Sequence, residues 1–247
     1  MVSSFRLGFA GESHDVRQLR MDSRAESDTD VPSPIDLRDP EDAREWVATA
    51  EQKRPWRARF RQVIAEFLCS VDTGAVPRVL ELGSGPGLLA EAILRRCPVT
   101  QYTLFDFSAP MLEMSRERLA GHTSVTFIRG DFKLSGWTEA LQAPFDAVVA
   151  MQAVHEIRHK RHVTALYRGV RELLRPGGAL VVCDHSPGAL GGRSTALYAT
   201  ASEQHDAFCA AGFEQVRTDL EMEGMYVCIG LRPRVSEGLG PRGAPEG

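Results

Sequence analysis

From residue 78 onward the chain alternates short apolar runs with longer segments whose apolar positions recur every three or four residues. The runs predict strands at 78–82, 101–106, 124–129, 145–151 and 179–184. The helical period predicts helices at 87–96, 109–120 and 160–175, with a weaker one near 137–142. Ser108 and Gly121 bracket the second helix as N-cap and C-terminal glycine, and Pro176-Gly177-Gly178 ends the third. Alternating strand and helix implies a parallel sheet with helices on both faces. The last segment departs from this alternation. A helix near 202–211 stops at Gly212, and strands at 213–220 and 225–232 flank the turn Met222-Glu223-Gly224, so the sheet closes with an antiparallel hairpin.

Ahead of the sheet, residues 1–38 are rich in Ser, Asp, Arg and Pro without periodicity and read as a disordered leader. Asp39 is an N-cap followed by Pro40, Glu41 and Asp42, so a helix begins there and runs to about Lys53. After Arg54-Pro55-Trp56, residues Phe60, Val63, Ile64, Phe67, Leu68 and Val71 put one apolar face on a second helix. The expected organisation is a leader at 1–38, a helical cap at 39–76, the α/β domain at 77–232 and a flexible tail at 233–247.

Residues 79–94 carry the strongest chemical signal: a buried strand holding Glu81, a tight turn with Gly83, Ser84, Gly85 and Gly87, then an amphipathic helix. Glycines let the backbone turn sharply and admit a ligand closely. A dinucleotide fingerprint needs a third glycine at position 88, which is Leu88. Glu81-x-Gly83-x-Gly85-x-Gly87 instead resembles motif I of the class I S-adenosylmethionine-dependent methyltransferases. A carboxylate at the strand end suits a sulfonium cation and would repel a pyrophosphate. The resemblance extends over about 78–232 and implies a Rossmann-like, doubly wound, mostly parallel seven-stranded sheet with an antiparallel C-terminal hairpin and an N-terminal helical cap. It also implies S-adenosylmethionine as cofactor. A nicotinamide oxidoreductase and a non-catalytic cofactor-binding or regulatory protein remain as alternatives.

The same resemblance assigns Glu81 and the glycines to the amino-acid end of the cofactor, Asp106 to the ribose hydroxyls, and Asp131 with Phe132 to the adenine. Phe107 follows Asp106 as a further cofactor contact, Met111 packs on the adenine, and Met151 with Gln152 sit at the fourth strand's carboxyl rim beside the transferring methyl. Asp146, at that strand's opposite end, is structural. No Asp/Asn-Pro-Pro-Tyr/Phe motif follows the fourth strand, which argues against a nucleic-acid substrate. His155 and His185 follow the fourth and fifth strands, and either suits a general base for a hydroxyl acceptor. Trp46, Arg54, Trp56 and Phe60 on the cap helices, with Tyr198 in the 186–199 loop, are candidate acceptor contacts for a small aromatic or anionic molecule.

His155-Glu156-Ile157-Arg158-His159 matches the His-Glu-x-x-His zinc pattern, but Arg158, Lys160 and Arg161 crowd it and no third ligand follows, so no metal is expected. The net charge of −4 gives no basic field for nucleic acid. Arginine outnumbers lysine 26 to 3, which reads as bacterial base-composition bias; the expected reaction is methyl transfer to a small molecule in bacterial secondary metabolism. Cys69, Cys97, Cys183, Cys209 and Cys228 show no Cys-x-x-Cys pair and are expected as reduced thiols in a cytoplasmic protein. No run reaches the ~20 residues of a membrane span. A small-molecule substrate is the expected partner, with no nucleic acid and no membrane; oligomeric state stays open.

Overall fold

A computed structural model describes residues 29–71, 77–188 and 194–234. Residues 1–28 and 235–247, which hold most of the expected leader and tail, lie outside the described residues, as do Gly191 and Gly192 of the 186–199 loop. Two helices lead the chain: α1 spans Pro40–Lys53 and α2 spans Arg57–Ser70. Asp39 caps α1 as expected, its side chain accepting from the Glu41 and Asp42 amides at 2.8 and 3.1 Å. The Arg54-Pro55-Trp56 break separates the two because proline disfavours helix in the residue before it.

Seven strands follow: β1 Arg78–Leu82, β2 Gln101–Asp106, β3 Val125–Arg129, β4 Phe145–Met151, β5 Leu174–His185, β6 Glu214–Met222 and β7 Met225–Leu231. They form one sheet in the order β3-β2-β1-β4-β5-β7-β6. Pairing is parallel from β3 through β5, and β7 runs antiparallel to both β5 and β6. Between them run α3 Leu88–Leu94, α4 Ala109–Arg118, α5 Val163–Leu173 and α6 Ala201–Ala210. The segment near 137–142 forms turns and no helix.

Because strand side chains alternate, each strand feeds two cores. Val79 packs with Phe60, Ile64, Leu89 and Tyr102 on one face, whereas Leu80 and Leu82 join Tyr167, Val170 and Phe208 on the other. Asp146 links elements at the sheet's amino edge, accepting from the Arg78 amide at 2.7 Å and ion-pairing with Arg175.

Two expectations change. Cys69 at the end of α2 and Cys97 after α3 are joined as a disulfide with Cα atoms 5.4 Å apart, while Cys183, Cys209 and Cys228 are free thiols. The helices pack side by side, a proximity that a 28-residue separation does not announce. The all-thiol reading, and the support it lent to a cytoplasmic location, therefore falls. Residues 30–37, expected within the leader, lie against the domain. Arg158 donates to the Val31 and Pro32 carbonyls at 2.7 Å each, Asp30 meets Arg161 and His162 at 3.0 Å, and Ser108 Oγ donates to the Leu37 carbonyl. Among the described residues no helix is long and apolar enough to cross a membrane.

Candidate active site

The carboxyl ends of β1, β2, β4 and β5 open into one cavity of about 610 Å³, walled by the 31–37 strap and by α1 and α2. At its floor the β1–α3 turn places Gly83, Gly85 and Gly87 at φ +62, +52 and +78, where side chains are strained. A Cβ on Gly83 would lie 2.4 Å from the Ala153 Cβ, so the turn needs glycine to pack beneath the post-β4 loop. A Cβ on Gly85 would meet nothing within 4 Å, because that glycine borders the cavity itself.

Two buried carboxylates flank this turn. Asp106, at the tip of β2, accepts from the Gly85 amide and from the Ser108 amide at 2.8 Å each, leaving lone pairs on both oxygens. Burial raises its pKa to about 6, against the lowering effect of those two bonds. Glu81 accepts a 2.8 Å bond from the Tyr102 hydroxyl, and burial, reinforced by Asp106, raises it to about 8 despite that bond. Ser84 Oγ is buried without a partner among the described residues.

Across the cavity, β4 ends in a sharp turn. Gln152 has φ +55, an uncommon conformation for a non-glycine residue, and its amide donates to the Cys183 carbonyl at 2.6 Å. Its side-chain nitrogen lies 2.6 Å from His185 Nε2. His155, three residues on, places Nδ1 2.7 Å from Asp184 Oδ1 while its amide donates to Asp184 Oδ2 at 3.1 Å. Burial pulls the His155 pKa down, but the charge and hydrogen bond of Asp184, aided by Glu156, leave it raised. Asp184 is correspondingly lowered, its burial outweighed by His155 and His185. Tyr198 stacks near both histidines, with ring centroids 5.0 Å from His155 and 5.9 Å from His185.

Of the expected cofactor contacts, Glu81, Gly83, Ser84, Gly85, Asp106, Phe107, Met111, Phe132, Met151 and Gln152 line the cavity. Gly87 and Asp131 do not. A Cβ on Gly87 would face Ser115 and Leu119 of the α4 region, so this glycine shapes the turn from behind. Asp131 bonds its own loop, accepting from the Lys133 amide at 3.0 Å and pairing with the Lys133 ammonium at 3.4 Å. His155, His185, Trp46, Arg54 and Tyr198 also line the cavity. Trp56 and Phe60 do not: Phe60 is fully buried in the core beneath α2, and Trp56 packs against that core.

The histidines of His-Glu-x-x-His do not share a helix face. Val154–Ile157 and Lys160–His162 are separate single 3-10 turns, and the His159 Nδ1 accepts from the Arg161 amide at 3.1 Å. Sequence reading missed Asp184 as partner of His155, the Val31–Leu37 strap, and Arg57 with Arg61 on α2. The strand alternation that turns Asp184 away from His185 was readable; the loop that returns His155 to it was not.

This strand order, with its reversed seventh strand, and acidic strand tips around a glycine turn are the architecture of the class I S-adenosylmethionine-dependent methyltransferases. Residues 79–178 match the family model of a methyltransferase domain, which supports membership of that family. An uncharacterized methyltransferase of Mycobacterium tuberculosis is 34% identical over 130 residues, covering 52% of this chain and 60% of that one. A trans-aconitate 2-methyltransferase of Rhodopseudomonas palustris is 29% identical over 134 residues, 54% of this chain and 48% of that one. The chain thus matches about half to three-fifths of the length of these relatives. Among solved structures, the CMeT domain of the citrinin polyketide synthase superposes with a TM-score of 0.64 at 22% identity, over 80% of this chain and 58% of that one. The methyltransferase CalH, solved with SAH, superposes with a TM-score of 0.55 at 18% identity, over 71% and 55% of the two chains. At these identities both share the fold.

The site fits the family's cofactor, S-adenosylmethionine. Among the described residues a buried hydroxyl lacks a partner, and two buried carboxyl groups bond no cationic side chain and retain lone pairs. That set suits a cationic ligand with ribose hydroxyls and opposes a pyrophosphate.

Proposed function

We propose that this protein transfers the methyl group of S-adenosylmethionine to a hydroxyl of a small organic acceptor, with His155 taking the proton. When bound, the cofactor supplies a methyl group made electrophilic by its sulfonium charge. Glu81, Gly83, Ser84 and Gly85 hold its amino-acid end, Asp106 the ribose, and Phe107, Met111 and Phe132 the adenine. Met151 and Gln152 border the reacting end, and the 31–37 strap with α1 excludes water.

The single observation that carries the base assignment is the His155–Asp184 pair, 2.7 Å apart on the cavity that holds the glycine turn. With Nδ1–H donating to Asp184, Nε2 carries the lone pair and accepts the hydroxyl proton as oxygen attacks the methyl carbon. Asp184 then stabilises the imidazolium, and Glu156 Oε1, 3.5 Å from Nε2, adds to that stabilisation. A small acceptor is favoured by the size of the cavity, about 610 Å³ for cofactor and acceptor together. Names among the relatives point both ways: trans-aconitate 2-methyltransferase on one side, and a Klebsiella pneumoniae ribosomal RNA small subunit methyltransferase C, 32% identical over 116 residues, on the other.

The test is calorimetric titration with S-adenosylhomocysteine and NADH, then methyl release against a panel of hydroxylated small molecules. S-adenosylhomocysteine should bind and NADH should not. His155→Ala should slow methyl release by about 10²–10⁴-fold with S-adenosylhomocysteine affinity unchanged. An undiminished rate in that variant would remove the base, and NADH binding alone would remove the methyltransferase reading.

A further inference from the structure

The wall of the cavity formed by α1 and α2 carries a charge that nothing in the site so far uses. Arg57, the first residue of α2, lines the cavity yet is only 3% exposed. Its Nε has no hydrogen-bond partner among the described residues. The nearest carboxylate, Glu51 Oε1, is 3.9 Å from Nη1, beyond hydrogen-bond reach, and both Glu51 oxygens are already held by Arg61 at 3.0 and 2.5 Å. The guanidinium carbon lies 5.3 Å from the Trp46 ring centroid, within cation–π range. Arg54 also lines this wall and repels Arg57, while Glu51 is shared between Arg57 and Arg61. Burial, with repulsion from Arg54 and Arg61, lowers the Arg57 pKa to about 10 against the pull of Glu51, so the cation persists at neutral pH.

A buried, under-neutralised guanidinium is costly unless an anion completes it. Its planar, pre-oriented fork matches a carboxylate through two parallel N–H···O bonds. Its place favours the acceptor over the cofactor. Arg57 and the Cys183 thiol on β5 perturb one another electrostatically, and Cys183 pairs in register with Met151 on β4. That is the side of the sheet bearing His155 and His185, with β4 standing between it and β1, which holds Glu81.

We propose that the acceptor is an organic carboxylate, anchored through its carboxylate on Arg57 against Trp46, so that its hydroxyl is presented toward His155. The inference rests on the methyltransferase reading of the same cavity. It is tested with protein saturated in S-adenosylhomocysteine, by titrating 4-hydroxybenzoate, 4-hydroxyphenylacetate, salicylate and 3-hydroxybutyrate, each beside its neutral amide. At least one acid should bind more tightly than its amide by about 10–100-fold, the loss expected for a charge-assisted bond. Arg57→Gln should abolish that preference while S-adenosylhomocysteine affinity stays within about threefold, and Arg57→Lys should restore part of it. Should Arg57→Gln fail to fold, the acid-to-amide ratio in the wild type decides alone.

Equal binding of acids and amides, or no binding of either, overturns the proposal. So does an Arg57→Gln variant that loses affinity for S-adenosylhomocysteine but not for 5′-methylthioadenosine, which lacks the amino-acid tail; the anion would then be the cofactor's own carboxylate. If wild-type protein binds no S-adenosylhomocysteine at all, the methyltransferase reading fails and this inference with it, an outcome separable from the other three.

Discussion

Asp184 and His155 show how one carboxylate can both position a loop and tune a base. Asp184 holds the His155 amide and ring together, and its charge outweighs the burial that would otherwise depress the imidazole. The folded His155 pKa is therefore above its ordinary value of about 6.5, and the base form populates only as pH rises through that raised value. Asp184→Asn removes the charge while keeping an acceptor, so burial wins and the acid limb of kcat/KM should shift to lower pH. The rate should fall by about 10–10³-fold. A pH–rate profile checks this: a lower rate with an unmoved limb would mean that Asp184 merely braces the loop. At the same scale, the site's carboxylates were largely legible, since Glu81 and Asp106 stand at strand tips that periodicity locates. Asp131 was less legible, because an Asp after glycine serves a turn as readily as a ligand, and here its carboxylate bonds Lys133.

Two elements decide access to the cavity. In the β1–α3 turn, Gly83 and Gly85 share a left-handed backbone but differ in surroundings. Gly83→Ala meets Ala153 at 2.4 Å in addition to backbone strain. It should lower stability by about 2–4 kcal/mol, read as a fall in Tm. Gly85→Ala meets no protein atom. It should cost only about 1–2 kcal/mol from strain, yet weaken S-adenosylhomocysteine binding by about tenfold or more, because its methyl group enters the ligand's space. Similar affinity losses in both variants, with similar Tm, would remove this distinction.

The strap is the second such element. Arg158, with φ +70, holds Val31 and Pro32 through three backbone contacts, two from its guanidinium and one between main chains. Arg158→Ala should leave the sheet intact but loosen residues 30–37. Tryptic cleavage after Arg38 should accelerate, and S-adenosylhomocysteine should dissociate about tenfold faster, a loss of about 1.4 kcal/mol. An unchanged off-rate would mean that the strap does not cover the ligand. Sequence reading assigned these residues to a leader because they have no periodicity. Their order comes from backbone carbonyls held by a distant arginine, a contact without a local signature.

For the whole molecule, the two buried carboxylates tie stability to pH. Glu81 titrates near 8 and Asp106 near 6 when folded, above ordinary values of 4.5 and 3.8. Between those limits the empty folded protein binds more protons than the unfolded chain, so its stability should fall as pH rises from about 4 to 8. Chemical denaturation across that range checks the slope, and Glu81→Gln should flatten its upper half. Binding a cation beside Glu81 should draw its pKa down and release about one proton at pH 7. Calorimetry in buffers of different ionisation enthalpy measures that release, and its absence would separate Glu81 from the cofactor site.

Strand and helix periods, glycine spacing and acidic strand tips were enough to read the family and the doubly wound sheet with its closing hairpin. Those features are local: each depends on which side chains alternate or recur within about ten residues. The Cys69–Cys97 bond, the pairing of Asp184 with His155, the exclusion of Trp56 and Phe60 from the cavity, and the buried fork of Arg57 depend on how separate elements pack. The chain specified its layers through short-range pattern. Only the packed molecule decided which buried charges found partners, because burial and pairing are properties of neighbours distant in sequence.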